Sequence, residues 1–133
     1  MFLSVSTQGT AFFAGSGSVE SFLKANYRYR PYMTLVAYDF ETEEIKDYPQ
    51  YPPKPVGISI YEKGGTPHYY AWGHPTGNNC TEDEAIQAIS KYWHSAEYEL
   101  VAWNSPFDRL ICHVHWGLPL NSAAKQHDGL VLA

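Results

Sequence analysis

Cysteine is scarce in this chain. Its 133 residues hold only Cys80 and Cys112, too far apart for a CxxC pair. That argues against a disulfide framework or a cysteine-built zinc site, and it suits a reducing cytoplasm. Positive charge is also short, with 9 Lys and Arg against 14 Asp and Glu for a formal net charge of -5. A basic nucleic-acid coat is therefore excluded, and any contact with a polyanion needs a local patch or metal ions that offset the acid. No apolar run approaches the length of a membrane span, and the N-terminal stretch lacks the basic n-region of a signal peptide, so no membrane partner and no export are expected. Nucleotide-binding GxGxxG and P-loop patterns are missing, as are the GxSxG and HExxH patterns of hydrolases.

What the chain does have is apolar and aromatic mass. At 44% hydrophobic and 16% aromatic it suits one globular domain with a real core. Residues 1–32 differ in texture: "STQGTAFFAGSGS" has no sustained period and reads as a poorly ordered arm, while "VESFLKANYRYR" predicts a short helix. That helix places Lys24, Arg28 and Arg30 among tyrosines, a mix read as a solvated surface rather than a phosphate site. From Met33 onward the pattern tightens. "MTLVAYDFE", "GISIYEK", "TPHYYAWGH" and "ELVAWN" predict four strands. "TEDEAIQAISKYWHS" predicts an amphipathic helix with a capping box from Thr81 to Glu84. "SPFDRLICHVHWG" predicts a second helix, with Ser105 as N-cap, Pro106 in the first turn and Gly117 ending it. The result is an α/β mixed sheet of order 3-2-1-4 with flanking helices. "HDGLVLA" reads as the opening of one more helix, with the fold expected to be incomplete at that point.

The first of these strands hands over to acid. In a strand, alternate residues share a face, so Asp39 and Glu41 point the same way, with Val36, Tyr38 and Phe40 on the other. Two carboxylates so close either face water at a frayed strand end or share a cation; Mg²⁺ and Mn²⁺ are the hard ions that accept such oxygens. Asp108 opens the helix after the fourth strand, beside the first. It too has two readings, as the capping-box partner of Ser105 or as a third acid facing Asp39 and Glu41.

"DFETE" followed by "AWNSPFDR" resembles the first and second motifs of the DEDD 3′-to-5′ exonucleases, a ribonuclease-H-like superfamily. The wider run "YPPKPVGISI", "YYAWGHPTGNNC", "VAWNSPFDR" and "HDGLVLA" resembles the proofreading domain of bacteriophage-type family A DNA polymerases. The resemblance implies a ribonuclease-H-like fold with residues 33–133 as the N-terminal part of an exonuclease-like domain. It implies Asp39, Glu41 and Asp108 as catalytic metal ligands for two Mg²⁺ or Mn²⁺ ions. Thr42 would lie near the substrate's terminal nucleotide, Asn104 near the scissile phosphate, and Phe107 in the pocket wall or the packing beneath it. The implied reaction is hydrolysis of single-stranded DNA 3′ ends to nucleoside 5′-monophosphates, with a polymerase domain or a completing chain as partner, in the host cytoplasm if the chain is of phage origin. The family's third motif, which carries a fourth acid, is not found; Asp128 matches an acid that is not a principal ligand in relatives. Self-association is one expected consequence. The rival is a non-catalytic nucleic-acid-binding or protein-interaction domain derived from the same fold. The histidines, His113 and His115 on different helix faces and His68, His74 and His94 without spaced partners, read as packing, loop or surface residues.

Overall fold

The structure is a computed structural model that describes residues 3–5, 11–13 and 33–132. Two short strands, β1 (Leu3–Val5) and β2 (Ala11–Phe13), pair antiparallel. Part of the stretch expected to be an irregular arm is therefore strand. The helix expected over 19–30 lies outside the described residues.

The main sheet is built on β3 (Thr34–Thr42), the longest strand, with β4 (Pro55–Glu62) and β5 (His68–Ala71) following as an antiparallel meander. Helix α1 (Glu82–Trp93) then crosses over, and β6 (Tyr98–Ala102) returns parallel to β3 on its free side. Helix α2 (Ser105–Trp116) leads to β7 (Lys125–Asp128), which is parallel to β6, and to the single turn α3 (Gly129–Leu132). The order β5-β4-β3-β6-β7 is the expected 3-2-1-4 with a fifth strand added. Here the reading of "HDGLVLA" is corrected. His127 and Asp128 end a strand, and helix begins only at Gly129. The segment "KQHD" has no apolar alternation of its own, so its extended form comes from the parallel ladder that β6 offers it.

Alternation along β3 sends Val36, Tyr38 and Phe40 to one face, where they join Ile58, Ile60 and Leu100 under both helices. Helix α1 contributes Ala85, Ile89, Tyr92 and Trp93 at helical spacing, and α2 contributes Ile111 and Cys112. Trp93, fully buried, packs edge-on to Tyr38 at 6.2 Å and donates its indole N–H to the Pro119 carbonyl at 2.8 Å. Each such large side chain contributes roughly 1.5–3 kcal/mol on burial. The opposite face is buried too, at Leu35, Ala37, Ser59, Glu99 and Val101, in and beside the parallel part of the mixed sheet. No helix among the described residues is long and apolar enough to cross a membrane.

One mismatch of strand lengths positions the site. The ladder between β3 and β6 ends at Ala37 and Val101, whereas that between β3 and β4 continues to Thr42. From Tyr38 onward, β3 therefore has no strand on its β6 flank, and that notch opens at the carboxyl ends of the two parallel strands.

Candidate active site

Helix α2 fills the notch. After β6 ends at Ala102, Asn104 adopts left-handed backbone geometry (φ 55°, ψ 55°), and Ser105 already begins the helix. This sharp turn drops the first helical turn onto β3. Left-handed geometry costs an L-residue about 1–2 kcal/mol, with asparagine among the residues that tolerate it best. The expected N-cap at Ser105 is thereby corrected. Asn104 is the N-cap, it makes no side-chain capping bond, and Ser105 is a buried helical residue.

The freed acid goes elsewhere. Asp108, 2% exposed, accepts the Phe40 backbone N–H on Oδ1 at 3.3 Å, across 68 residues of sequence. It thus satisfies a donor that β6, ending early, leaves unpaired. The capping box with Ser105 is not formed; the Asp108 carboxyl takes its own backbone N–H and lies near Asp39 of β3. Burial pushes the Asp108 carboxyl well above the usual carboxylate range, and the charge of Asp39 pushes it further. Asp39, half-buried, is itself raised to about 7, first by burial and then by Glu41. Without a counter-ion, burial and the neighbouring charges oppose ionisation of both carboxyls. A cation beside them would offset that opposition.

Glu41 is handled differently. Its Oε2 accepts the Tyr69 hydroxyl proton at 2.8 Å and lies 3.5 Å from His74 Nε2. Tyr69 reaches it across the intervening strand because Gly57, the register partner of Glu41, has no side chain. A Cβ there would stand 2.8 Å from the Tyr69 ring carbon Cζ. Immediately after Glu41 the register with β4 slips, so that Thr42 pairs with Pro55, a bulge of the kind that re-aims side chains at the end of a ladder. Thr42 Oγ1 donates to the Glu43 carbonyl at 2.9 Å. Asn104 is exposed at the rim, and Phe107 is half-buried against the core, its ring 6.3 Å from that of Tyr51.

The structure thus joins Asp39 and Asp108 and sets Glu41 beside Asp39, with Thr42, Asn104 and Phe107 at the margins. Mg²⁺ and Mn²⁺ take ionised carboxylate oxygens, and Mg²⁺ is commonly bound by one or two carboxylates with water and substrate phosphate completing its shell. Asp39 and Asp108 are the side chains of this site with that donor chemistry. Among the described residues no three histidine, cysteine or acidic side chains converge closely enough to hold an ion by themselves. Asp128, the acid set aside in the sequence, accepts the Leu130 N–H at 2.9 Å and adds charge near Asp108 from the end of β7. Two participants were missed, Tyr69 and His74. His74 is a loop residue as expected, but it is also part of the site.

The fold is similar to that of solved exonuclease I structures. Exonuclease I from Methylocaldum szegediense superposes with a TM-score of 0.55 at 13% identity, covering 74% of this chain and 28% of that one. Exonuclease I without ligand gives 0.54 at 13%, covering 74% and 29%, and the E. coli enzyme in complex with a dT13 oligonucleotide gives 0.50 at 12%, covering 72% and 28%. The chain therefore spans less than a third of the length of these structures. No family model and no curated protein matches the sequence.

Proposed function

We propose that this chain carries part of the catalytic centre of a metal-dependent 3′-to-5′ exonuclease of proofreading type. Its substrate is the 3′ end of single-stranded DNA, and its product a nucleoside 5′-monophosphate. The observation that carries this reading is the arrival of Asp108 on β3 beside Asp39. The exonuclease fold of the structural neighbours supports it.

Asp39 and Asp108 are the residues that would hold Mg²⁺ or Mn²⁺, with Glu41 flanking them. The bound ion supplies Lewis-acid polarisation of the scissile phosphate and a water of lowered pKa. Thr42, fixed by the bulge, faces the terminal nucleotide, and Asn104 at the rim reaches the phosphate. Phe107, braced by Tyr51, forms the wall. Beyond Thr42 lies a cleft of about 380 Å³ between the proline-rich loop and α2. Lys46 and Lys54 line it together with Glu43 and Glu44, so two positive charges face two negative ones. A polymerase domain or a completing chain is the partner this reading proposes. Leu130 and Val131, exposed on α3, offer such a partner apolar surface.

The test is release of mononucleotides from a 3′-labelled single strand with Mg²⁺ or Mn²⁺, by the wild-type chain and by Asp39→Ala and Asp108→Ala. The expected result is metal-dependent release, lost in both variants. No release, with neither variant altering Mn²⁺ binding, would overturn the reading in favour of a non-catalytic nucleic-acid-binding or protein-interaction domain.

A further inference from the structure

The outer edge of β5 is closed by a side chain. In an antiparallel ladder the N–H and C=O of one residue point to the same side, and the side alternates along the strand. Trp72 donates to the Val56 carbonyl at 3.1 Å, so Tyr70, two residues back, also faces β4, and Tyr69 and Ala71 turn their backbone groups outward. Among the described residues no strand lies beyond β5. Such a row of outward groups is a template on which another chain can pair.

Here the row is already taken. Asn79 Oδ1 accepts the Ala71 N–H at 2.8 Å, and Asn79 Nδ2 donates to the Tyr69 carbonyl at 2.7 Å. One carboxamide thus makes the two contacts that a neighbouring strand's backbone would make. The Ala71 carbonyl accepts the backbone N–H of Asn79 at 2.9 Å and that of Cys80 at 3.2 Å. Three of the four groups that Tyr69 and Ala71 turn outward are therefore occupied, and Pro67, just ahead of the strand, has no N–H to offer a neighbour. The loop after β5 is folded back to bring Asn79 to this edge. Gly73 lies so close to β4 that a Cβ would stand 2.9 Å from Val56 Cγ1, and Gly77 turns the chain at φ 78°. Asn78 then fastens the fold, accepting the His74 N–H at 3.0 Å and donating to the His74 carbonyl at 2.7 Å.

The groups that Asn79 occupies are those a second copy would use. Two β5 strands paired antiparallel about a two-fold axis at Tyr70 would set Tyr69 of each copy opposite Ala71 of the other, each pair exchanging both N–H···O bonds. We propose that β5 is a latent pairing edge, held shut by Asn79 against a second copy of this chain. The inference is independent of the nuclease reading.

The experiment measures self-association of the whole chain by sedimentation equilibrium and exchange of the Ala71 amide by NMR in dilute solution, with circular dichroism to confirm the fold of each variant. Asn79→Ala removes both side-chain bonds at the edge. Asn78→Ala loosens the same loop but leaves those bonds in place. Tyr69→Pro, added to Asn79→Ala, strips the edge of a donor and sets a ring in the path of a partner strand. Expected in Asn79→Ala are faster exchange at Ala71 and association tighter than wild type by about tenfold or more, since each hydrogen bond gained is worth roughly 2–10-fold. Asn78→Ala should match wild type, and the double variant should return to it. Asn79→Asp keeps the acceptor for Ala71 but sets a carboxylate oxygen against the Tyr69 carbonyl; it should fall between wild type and Asn79→Ala, and it decides the matter if Asn79→Ala does not fold. Folded Asn79 variants that associate no more tightly than wild type would overturn the proposal. So would an equal gain in Asn78→Ala, which traces the effect to the loop, or a gain that survives Tyr69→Pro, which traces it to another surface.

Discussion

Helices α1 and α2 are both 12 residues long, and each follows the same short grammar, a hydroxyl residue with an acid three positions later. In α1 the grammar is obeyed. Thr81 accepts the Glu84 N–H at 3.2 Å, and the Glu84 carboxylate returns to accept the Thr81 N–H at 2.7 Å. In α2 it is broken, since Asn104 takes the N-cap position without a capping bond and Asp108 turns away to β3. The difference is one of surroundings. Thr81 and Glu84 are exposed, so the nearest unsatisfied donors are those of their own helix. The start of α2 is driven into the notch beside β3, where a strand N–H competes and wins. A carboxylate withheld from its local partner is thereby kept, buried and under strain, for another use.

The sharpest way to break the comparison is to neutralise the withheld acid. Asp108→Asn preserves an oxygen for the Phe40 N–H but removes a charge that burial and Asp39 both oppose. The expected outcome is a metal-free protein with a raised Tm and a Mn²⁺ affinity lower by more than the ~100-fold ascribed to supporting residues. Thermal melts and Mn²⁺ titration read the two effects, and a lowered Tm would show that the charge is not under strain. Glu84→Gln is expected to leave Mn²⁺ affinity unchanged.

A second consequence concerns pH. Asp39 holds its proton up to about 7 in the fold, against 3.8 for the free group. Between those values the folded chain binds more protons than the unfolded chain, so stability is greatest below about pH 4 and is lost as the pH rises through about 7. The expected loss is on the order of 2–4 kcal/mol in metal-free protein, since each tenfold difference in proton affinity between folded and unfolded chain is worth about 1.4 kcal/mol. Melts in chelator across this range should show a falling Tm that flattens in Asp39→Asn and is offset by Mn²⁺. A Tm that rises with pH would contradict the burial argument.

The smallest effect falls on the helix that obeys the rule. Thr81→Ala should lower stability by about 1 kcal/mol, the usual worth of an N-cap, and leave metal affinity and nucleotide release unchanged. Urea unfolding and the same Mn²⁺ titration would check it. A loss of metal affinity would mean that the two helices are not separate in function.

These contrasts also mark how far the sequence could be read. The strand order and the approach of Asp108 to the end of β3 were legible, because alternation and connection length constrain both. Asn104 was not legible as an N-cap. Its left-handed turn is a choice forced by where α2 must land, while Ser105 offers the stronger local signal. Lys125–Asp128 was unreadable as a strand because a neighbour makes it one. Tyr69 and Glu41 meet across β4, a contact that no spacing along the chain announces. The one clue was Gly57, an isolated glycine inside an apolar strand, which marks close approach by something else.

That glycine makes the site adjustable from outside its own chemistry. β4 places no acid in the cluster, yet the one missing side chain at its centre decides whether a phenol can lie flat across the strand. A single added methyl group at Gly57 would act as a shim, prising Tyr69 from Glu41 while every ionisable residue stayed in place. Variation in this fold can therefore retune its acids through steric bulk alone, at a position that a survey of charged residues would pass over.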